Sequence, residues 1–187
     1  RVFSELSDEV GQVTGIVHGA CMEDSKLLGD KGFEMFAKVM SVKVSGWLTL
    51  SNAARDHDAD LRFICCFTSI AGRFGNGGQV DYAAANCVLD AEMCRLAVSE
   101  DEPRAVAIAW SGWRDVGMAT RGSIETVFES AGIETIPVEQ GVELFADEVM
   151  RGGKRMVVIA GRLGMLDETE STREPPQRLA PDVAGLL

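Results

Sequence analysis

Residues 61–98 read LRFICCFTSIAGRFGNGGQVDYAAANCVLDAEMCRLAV and contain the clearest indication of the fold class. It begins at 61–69 with a short, predominantly apolar run, which is typical of a buried strand. The glycine-rich segment AGRFGNGGQ follows and indicates a loop. Residues 79–98 then read as a helix. Strand, loop and helix in this order predict one unit of a parallel α/β sheet.

The same alternation continues on both sides of this unit. The remaining predicted strands are 13–20, 104–110 and 154–161, and the remaining predicted helices are 31–57, 123–131 and 138–150. This order predicts an α/β protein with a doubly wound, mostly parallel sheet and helices on both faces. Ligands of such sheets bind beyond the carboxyl ends of the strands. We therefore expect a site near three strand ends, His18-Gly19-Ala20, Thr68-Ser69 and Trp110 to Trp113.

Two helices have apolar residues at helical spacing. In the segment 31–57 these residues are Phe33, Phe36, Met40, Val44 and Trp47. In the segment 79–98 one side of the predicted helix holds Val80, Ala84, Cys87, Val88 and Ala91.

The composition limits the class of protein. A chain of 187 residues with 46% hydrophobic residues is long enough for one domain with a core. The net charge of -11 argues against binding to nucleic acid or to an anionic membrane, because both require a cationic surface. No apolar run is long enough to span a bilayer, and the acidic N-terminal stretch does not read as a secretory signal.

The five cysteines, at 21, 65, 66, 87 and 94, form no CxxC pair. We expect reduced, buried thiols in a cytoplasmic protein and no metal site. Residues 163–187 contain three of the five prolines and little periodic structure, which predicts a linker or tail after a domain that spans 1–162. The chain begins with Arg1 rather than Met, which favours a piece of a longer polypeptide.

Lys43, Ser69, Tyr82 and Asn86 form the candidate catalytic set. Tyr82 is the only tyrosine of the chain, and Asn86 lies one turn later on the same face of the predicted helix. A phenol has a pKa of about 10 and is a poor acid at neutral pH, but a nearby cation lowers that pKa. Lys43 interrupts an apolar row and could supply this cation. The Ser69 hydroxyl could then bond the same substrate oxygen that Tyr82 protonates.

Each of these residues also has an ordinary structural interpretation. Lys43 could extend along its apolar stem to solvent, Ser69 could cap a helix, and Tyr82 could be a core aromatic. A serine hydrolase is excluded, since Ser69 is not in a G-x-S-x-G elbow. The order of Lys, then Ser-x12-Tyr-x3-Asn, is more specific than any single residue.

Three segments, GIVHGA, FTSIAGRFGNGGQVDYAAAN and AIAWSGWRDVGMA, together resemble the ketoreductase domain of polyketide and polyunsaturated fatty-acid synthases. These domains belong to the short-chain dehydrogenase/reductase superfamily, whose fold is Rossmann-like. Ordinary members of the superfamily carry Tyr-x3-Lys, whereas the synthase ketoreductases carry Tyr-x3-Asn with the lysine on the preceding helix. The segments GRFGNGGQVDYAAAN and AGIETIPVEQGVELF resemble most the polyunsaturated fatty-acid and related iterative synthases.

The resemblance implies a role for each residue. Tyr82 would donate a proton to the ketone oxygen, Ser69 would hold that oxygen, Lys43 would lower the pKa of Tyr82 and contact the cofactor ribose, and Asn86 would order a water. The remaining residues that would bind NADPH are His18, Gly19, Ala20, Ser111, Gly112 and Met118. The reaction would be reduction of a β-ketoacyl thioester on an acyl carrier protein, beside other synthase domains.

One departure from the family is large. The phosphate-binding G-x-G-x-x-G after a first strand is absent, and no strand before residue 13 could carry it. The sequence therefore resembles the C-terminal half of such a domain, and we expect the N-terminal half to be a necessary partner. The alternative is a non-catalytic structural domain or an incomplete fragment. The aligned marker of product stereochemistry reads Glu23-Asp24-Ser25 and assigns no product.

Overall fold

In the computed structural model, the described residues are 2–99, 103–117, 128–153 and 155–164. The helices are α1 (Val2–Val10), α2 (Phe33–Met40), α3 (Gly46–Asp56), α4 (Ile70–Phe74), α5 (Val80–Ala97) and α6 (Val138–Arg151). The strands are β1 (Gly15–His18), β2 (Phe63–Ser69), β3 (Arg104–Trp110) and β4 (Arg155–Ile159). A short 3-10 helix covers Leu28–Asp30, and a π-helical turn, Ser41–Ser45, joins α2 to α3.

The four strands form one parallel sheet in the order β1-β2-β3-β4. Gly15 pairs with Phe63, Phe63 pairs with Arg104, and Val106 pairs with Arg155, so the strands run in register along their length. All four strands lie within the ranges that the sequence predicts, and the parallel α/β arrangement is confirmed.

Side chains alternate between the two faces of the sheet because a strand has a period of two residues. Ile64 and Cys66 of β2 belong to a core that includes Phe3 of α1, Trp47 of α3 and Leu89 of α5. Cys65, between them, belongs to a second core that includes Leu144 and Phe145 of α6. Helices therefore cover both faces, as the doubly wound prediction requires.

The apolar residues that the sequence places on one side of α5 are not the buried side of this helix. Val80 is 39% exposed and Val88 is 42% exposed, and Cys87 and Ala91 are exposed as well. The buried residues of this helix are instead Asp81, Tyr82, Ala85, Asn86, Leu89, Met93 and Leu96. Three of these are polar, so an apolar pattern could not identify the buried face.

Three other predictions need correction, and two fall at least partly outside the described residues. Phe33, at the first position of α2, is 83% exposed. The first part of the predicted glycine-rich loop is α4, a short helix that Ser69 caps. Three of the five cysteines, Cys21, Cys87 and Cys94, are exposed rather than buried, and none of the five forms a disulfide. The predicted helix at 123–131 is described only from 128, where residues 128–130 are helical, and the tail from 165 lies outside the described residues.

Gly72 allows α4 to pack closely on α5. A Cβ atom at this position would lie 2.9 Å from Cβ of Asn86 and 3.2 Å from the backbone nitrogen of Cys87. Any larger residue would push the two helices apart. The packing of α4 against α5 brings the end of β2 next to the first turns of α5.

Among the helices of the described ranges, none has the length and apolarity that a membrane crossing requires. Within the same ranges, no cluster of three or more His, Cys, Asp or Glu side chains could hold a metal ion.

Candidate active site

A cleft of about 360 Å³ lies beyond the carboxyl ends of β1, β2 and β3. This is the edge of the sheet at which parallel α/β proteins bind ligands. Six of the predicted site residues line the cleft: Gly19, Lys43, Ser69, Tyr82, Ser111 and Gly112. The fold thus brings together residues that are far apart in the sequence.

Lys43 lies in the π-helical turn and is only 3% exposed. Its Nζ donates a hydrogen bond of 2.7 Å to the carbonyl oxygen of Phe67, near the end of β2. The extra residue of a π turn changes the direction of the side chains around it, and such turns are frequent at functional sites. Lys43 therefore faces the cleft and does not extend to solvent. Burial lowers the pKa of its ammonium, and the nearby Cys21, Cys66 and Asp90 side chains partly oppose this effect.

The His18 ring contacts this π-helical turn through the backbone of Lys43. Its Nε2 lies 2.8 Å from the carbonyl oxygen of Lys43, and because a carbonyl can only accept, Nε2 is the protonated nitrogen. The ring also lies beside Gly46, with its Cε1 3.4 Å from the position that a Cβ atom of Gly46 would take. Burial is the main cause that lowers the pKa of His18. The imidazole is thus a buried neutral support for the Lys43 turn, and it does not line the cleft.

Tyr82 stands in the first turn of α5 and is buried against Val39 and Ala71. Burial raises the pKa of its phenol, the nearby Cys21 thiol raises it further, and a hydrogen bond with Ser69 partly opposes them. The sequence predicts a pKa lowered by Lys43. In this structure burial is the main cause that raises the pKa of the phenol, and a lowering of that pKa by Lys43 stays a prediction.

Ser69 has both of the roles that the sequence leaves open. Its Oγ accepts a hydrogen bond of 3.1 Å from the backbone nitrogen of Ala71, which caps α4. Because the oxygen accepts in that bond, the hydroxyl proton can be donated towards Tyr82 and the cleft.

Asn86 is fully buried one helical turn beyond Tyr82. Its Nδ2 donates a hydrogen bond of 2.7 Å to the carbonyl oxygen of Tyr82, while its Oδ1 has no hydrogen-bond partner among the described residues. The amide therefore lies behind the phenol and does not line the cleft.

The far wall of the cleft is aromatic. Phe67 and Trp110 meet edge to face with ring centres 5.6 Å apart, and Trp110 meets Trp113 in the same manner at 5.0 Å. Ser111 follows Trp110 and is buried, and its Oγ has no hydrogen-bond partner among the described residues. Ala20 is exposed and does not line the cleft, and Met118 lies outside the described residues.

The family described as the KR domain matches residues 1–115. The chain belongs to the ketoreductase-domain family. This confirms the resemblance seen in the sequence and places the chain in the short-chain dehydrogenase/reductase superfamily.

Relatives of this ketoreductase domain include synthases of two kinds. The chain is 30% identical over 173 residues to polyketide synthase ThaG of Burkholderia thailandensis, and the match covers 89% of the chain but 3% of that protein. It is 32% identical over 149 residues to a polyunsaturated fatty acid synthase of a Thraustochytrium species, with 80% of the chain and 5% of the relative covered.

Solved ketoreductase structures have the same fold. A ketoreductase domain from the bacillaene assembly line superposes with a TM-score of 0.77 at 28% identity and covers 90% of the chain. A ketoreductase from the first module of phoslactomycin biosynthesis in Streptomyces sp. HK803 gives 0.79 at 28% identity and covers 94% of the chain. The chain spans 41% and 40% of those two solved chains.

Four further residues form a polar wall of the cleft in this ketoreductase domain, and the sequence did not identify them. Cys21 and Glu23 line it from the segment after β1, and Asn76 and Gln79 line it from the segment before α5. Gln79 donates to Oε1 of Glu23 at 3.2 Å and accepts from Asn76 at 2.9 Å. The only available signal was their proximity in sequence to strand ends and to Tyr82.

Proposed function

We propose that this chain carries the proton-donating half of an NADPH-dependent β-ketoacyl reductase within a multidomain synthase. The observation that carries the proposal is the convergence of Lys43, Ser69 and Tyr82 on one cleft, with Asn86 directly behind Tyr82. The ketoreductase family uses these residue types in this arrangement. The substrate would be a β-ketoacyl thioester on an acyl carrier protein, because the relatives are synthases many times longer than the matched region.

The donor set of the cleft fits the nicotinamide and ribose part of the cofactor. Lys43 uses one of its three N–H groups on Phe67, which leaves two for ribose hydroxyls. The buried Ser111 Oγ, without a partner among the described residues, can bond the carboxamide or ribose. Gly19 and Gly112 leave room at the strand ends for a flat ring. The 187 residues of the chain contain no G-x-G-x-x-G loop for the pyrophosphate, so this part of the cofactor requires other residues.

Bound NADPH would supply the hydride for the ketone carbon of the substrate. The phenol of Tyr82 would release its proton to the ketone oxygen, and the Ser69 hydroxyl would donate a hydrogen bond to the same oxygen. The raised pKa of Tyr82 keeps the phenol protonated at neutral pH, which is the state that a proton donor needs. Asn86 would order a water through its Oδ1, and this water would return a proton to Tyr82. Together the hydride and the proton convert the ketone to a hydroxyl group.

The aromatic wall of Phe67, Trp110 and Trp113 would exclude water from the reacting atoms. Exclusion of water strengthens the hydrogen bonds that the ketone oxygen receives. Glu23 and Gln79 supply polar side chains to the same cleft. The acyl chain could therefore enter between an apolar and a polar surface.

The alternative that the sequence leaves open is a non-catalytic structural domain. An assay distinguishes the two functions. The natural full-length polypeptide is mixed with a β-ketoacyl thioester and NADPH that carries deuterium at the transferable position. We expect consumption of NADPH and a β-hydroxyacyl thioester with deuterium on its β-carbon. Binding of NADPH without formation of this product would favour the structural domain instead.

A further inference from the structure

Lys31 and Asp81 form a buried ion pair that the proposed chemistry does not use. Nζ of Lys31 lies 2.7 Å from Oδ1 and 2.8 Å from Oδ2 of Asp81. Both side chains are 1% exposed. The exposed pair of Arg62 and Asp60 is very different, with exposures of 74% and 53%.

The pair connects two segments that border the cleft. Lys31 belongs to the segment between β1 and α2, and its third hydrogen bond, of 2.6 Å, goes to the carbonyl oxygen of Asp24 in the same segment. Its ammonium thus makes three hydrogen bonds and is saturated. Asp81 belongs to the first turn of α5, directly before Tyr82.

Asp81 also holds the backbone of Tyr82. Its Oδ1 accepts a hydrogen bond of 2.9 Å from the backbone nitrogen of Tyr82. The residue that precedes α5, Gln79, makes no side-chain cap bond, so the helix begins without the usual cap. Asp81 supplies that missing acceptor, and Lys31 fixes the position of Asp81.

Three further contacts connect the same segments. The backbone nitrogen of Lys26 donates to the carbonyl oxygen of Gly78 at 3.0 Å, and Gln79 donates to Glu23 and to the hydroxyl of Ser25. Among these contacts the ion pair is the one that joins opposite charges, and both of its side chains are 1% exposed. A buried ion pair contributes little net stability, since desolvation offsets the Coulomb attraction. Separation of the two charges would leave each of them buried without a partner, which is costly, so the pair restricts how the two segments are placed.

We propose that Lys31 and Asp81 are positioning residues that hold Tyr82, at the start of α5, against the segment 21–31 that forms the opposite border of the cleft. They act through the backbone of Tyr82 and through the separation of the two borders, and they do not contact the substrate. The kinetic test of this inference rests on the proposed reductase function, whereas the hydrogen-exchange test does not.

The kinetic test uses the natural full-length polypeptide with substitutions in the pair. We expect Lys31→Met to lower kcat about tenfold or more, because small displacements of a reacting group have effects of this size. The KM for NADPH should stay within about threefold, since the pair does not touch the cofactor. Lys31→Arg keeps the charge and should recover most of kcat. Lys26→Met is the matched control, because Lys26 is on the same segment and its pair with Asp24 is half exposed.

The double variant Lys31→Met/Asp81→Asn distinguishes a role in positioning Tyr82 from a role in the stability of the fold. It leaves no unpaired buried charge, so the free energy of unfolding should recover towards that of the native chain. If the pair positions Tyr82, kcat stays low in the double variant. Recovery of kcat together with stability would overturn the positioning role, and so would a kcat within threefold of the native value in Lys31→Met.

Amide hydrogen exchange of residues 79–84 tests the same claim without any activity. Exchange should become about tenfold faster in Lys31→Met and in the double variant, since the first turn of α5 opens more readily. Lys26→Met should leave it unchanged. An unchanged exchange rate in all variants would overturn the proposal. If the native polypeptide has no reductase activity, the proposed function fails and the exchange data alone decide whether the pair holds Tyr82.

Discussion

Tyr82 illustrates a balance between two opposing effects on one phenol. Burial raises its pKa, whereas the cation of Lys43, which lines the same cleft, is expected to lower it. The sequence predicts that Lys43 dominates, because its charge stands out in an apolar row. The burial of the phenol cannot be inferred from the sequence, since it depends on Val39 and Ala71 from two other helices. Residue types thus predict that Lys43, Ser69 and Tyr82 meet in one cleft, but not the electrostatic balance among them.

The phenol of Tyr82 should therefore ionise above the ordinary pKa of about 10. Because Tyr82 is the only tyrosine, the ultraviolet absorbance of tyrosinate in this chain reports on it alone. Cys21→Ala should move the titration to lower pH, since the Cys21 thiol contributes to the raised pKa. Cys94→Ala, at an exposed position of α5, is the control. Ionisation at or below the ordinary pKa, with unchanged circular dichroism, would show that Lys43 dominates after all.

At the scale of elements, α5 shows where sequence patterns fail. Its length is predicted within one residue at each end, because composition and periodicity are local properties. The pattern does not predict its buried face, because Asp81 and Asn86 are buried with polar partners while Val80 and Val88 are exposed. The π turn around Lys43 is not predictable either, because the His18 ring that bonds its backbone comes from β1, 25 residues away in sequence. Buried polar residues interrupt the apolar pattern at these places.

The contact between α4 and α5 leads to a prediction for Gly72. Gly72→Ala places a Cβ atom within 3 Å of Cβ of Asn86, so one helix must shift. We expect a loss of about 1–3 kcal/mol in the free energy of unfolding, the usual effect of overpacking. Gly77→Ala is the control, because a Cβ atom there meets nothing within 4 Å. Urea denaturation measures both variants, and equal stability of the two would contradict the close packing of α4 on α5.

At the scale of the whole molecule, the alternation of strands and helices is sufficient to predict the parallel sheet and the edge that carries the candidate site. Long-range consequences of the fold, such as the aromatic wall and the ion pair of Lys31 with Asp81, are not predictable, because their residues are far apart in sequence. The domain boundary at 162 stays a prediction.

The two central strand cysteines predict how stability depends on pH. Burial raises the pKa of Cys65 from 9.0 to about 12 and raises that of Cys66 as well. The unfolded chain loses these protons from about pH 9 upward while the folded chain retains them, so stability is complete below pH 9 and falls above it. Each thiol contributes a slope of up to about 1.4 kcal/mol per pH unit. Tyr82, whose pKa is also raised, adds to this loss of stability. Lys43, whose pKa is lowered, offsets the contribution of one of these protons at most.

Urea denaturation at pH 8 and at pH 10 or above, with a reductant present, checks this dependence. Cys65→Ala/Cys66→Ala should flatten the alkaline loss, although it lowers stability at pH 8. Cys87→Ala/Cys94→Ala, at exposed positions, should leave the loss unchanged. A native chain whose stability is constant or rises over this range would contradict the burial of the strand thiols.

The most direct test of the proposed reductase is turnover of the Tyr82→Phe variant. The natural full-length polypeptide and this variant are compared for oxidation of NADPH by a β-ketoacyl thioester, with NADPH affinity and circular dichroism measured alongside. Loss of the phenolic proton donor should lower kcat about 100-fold or more, the usual contribution of a general acid, while the fold and NADPH affinity are retained. A Tyr82→Phe variant with near-native kcat would contradict the role of Tyr82 on which the account depends.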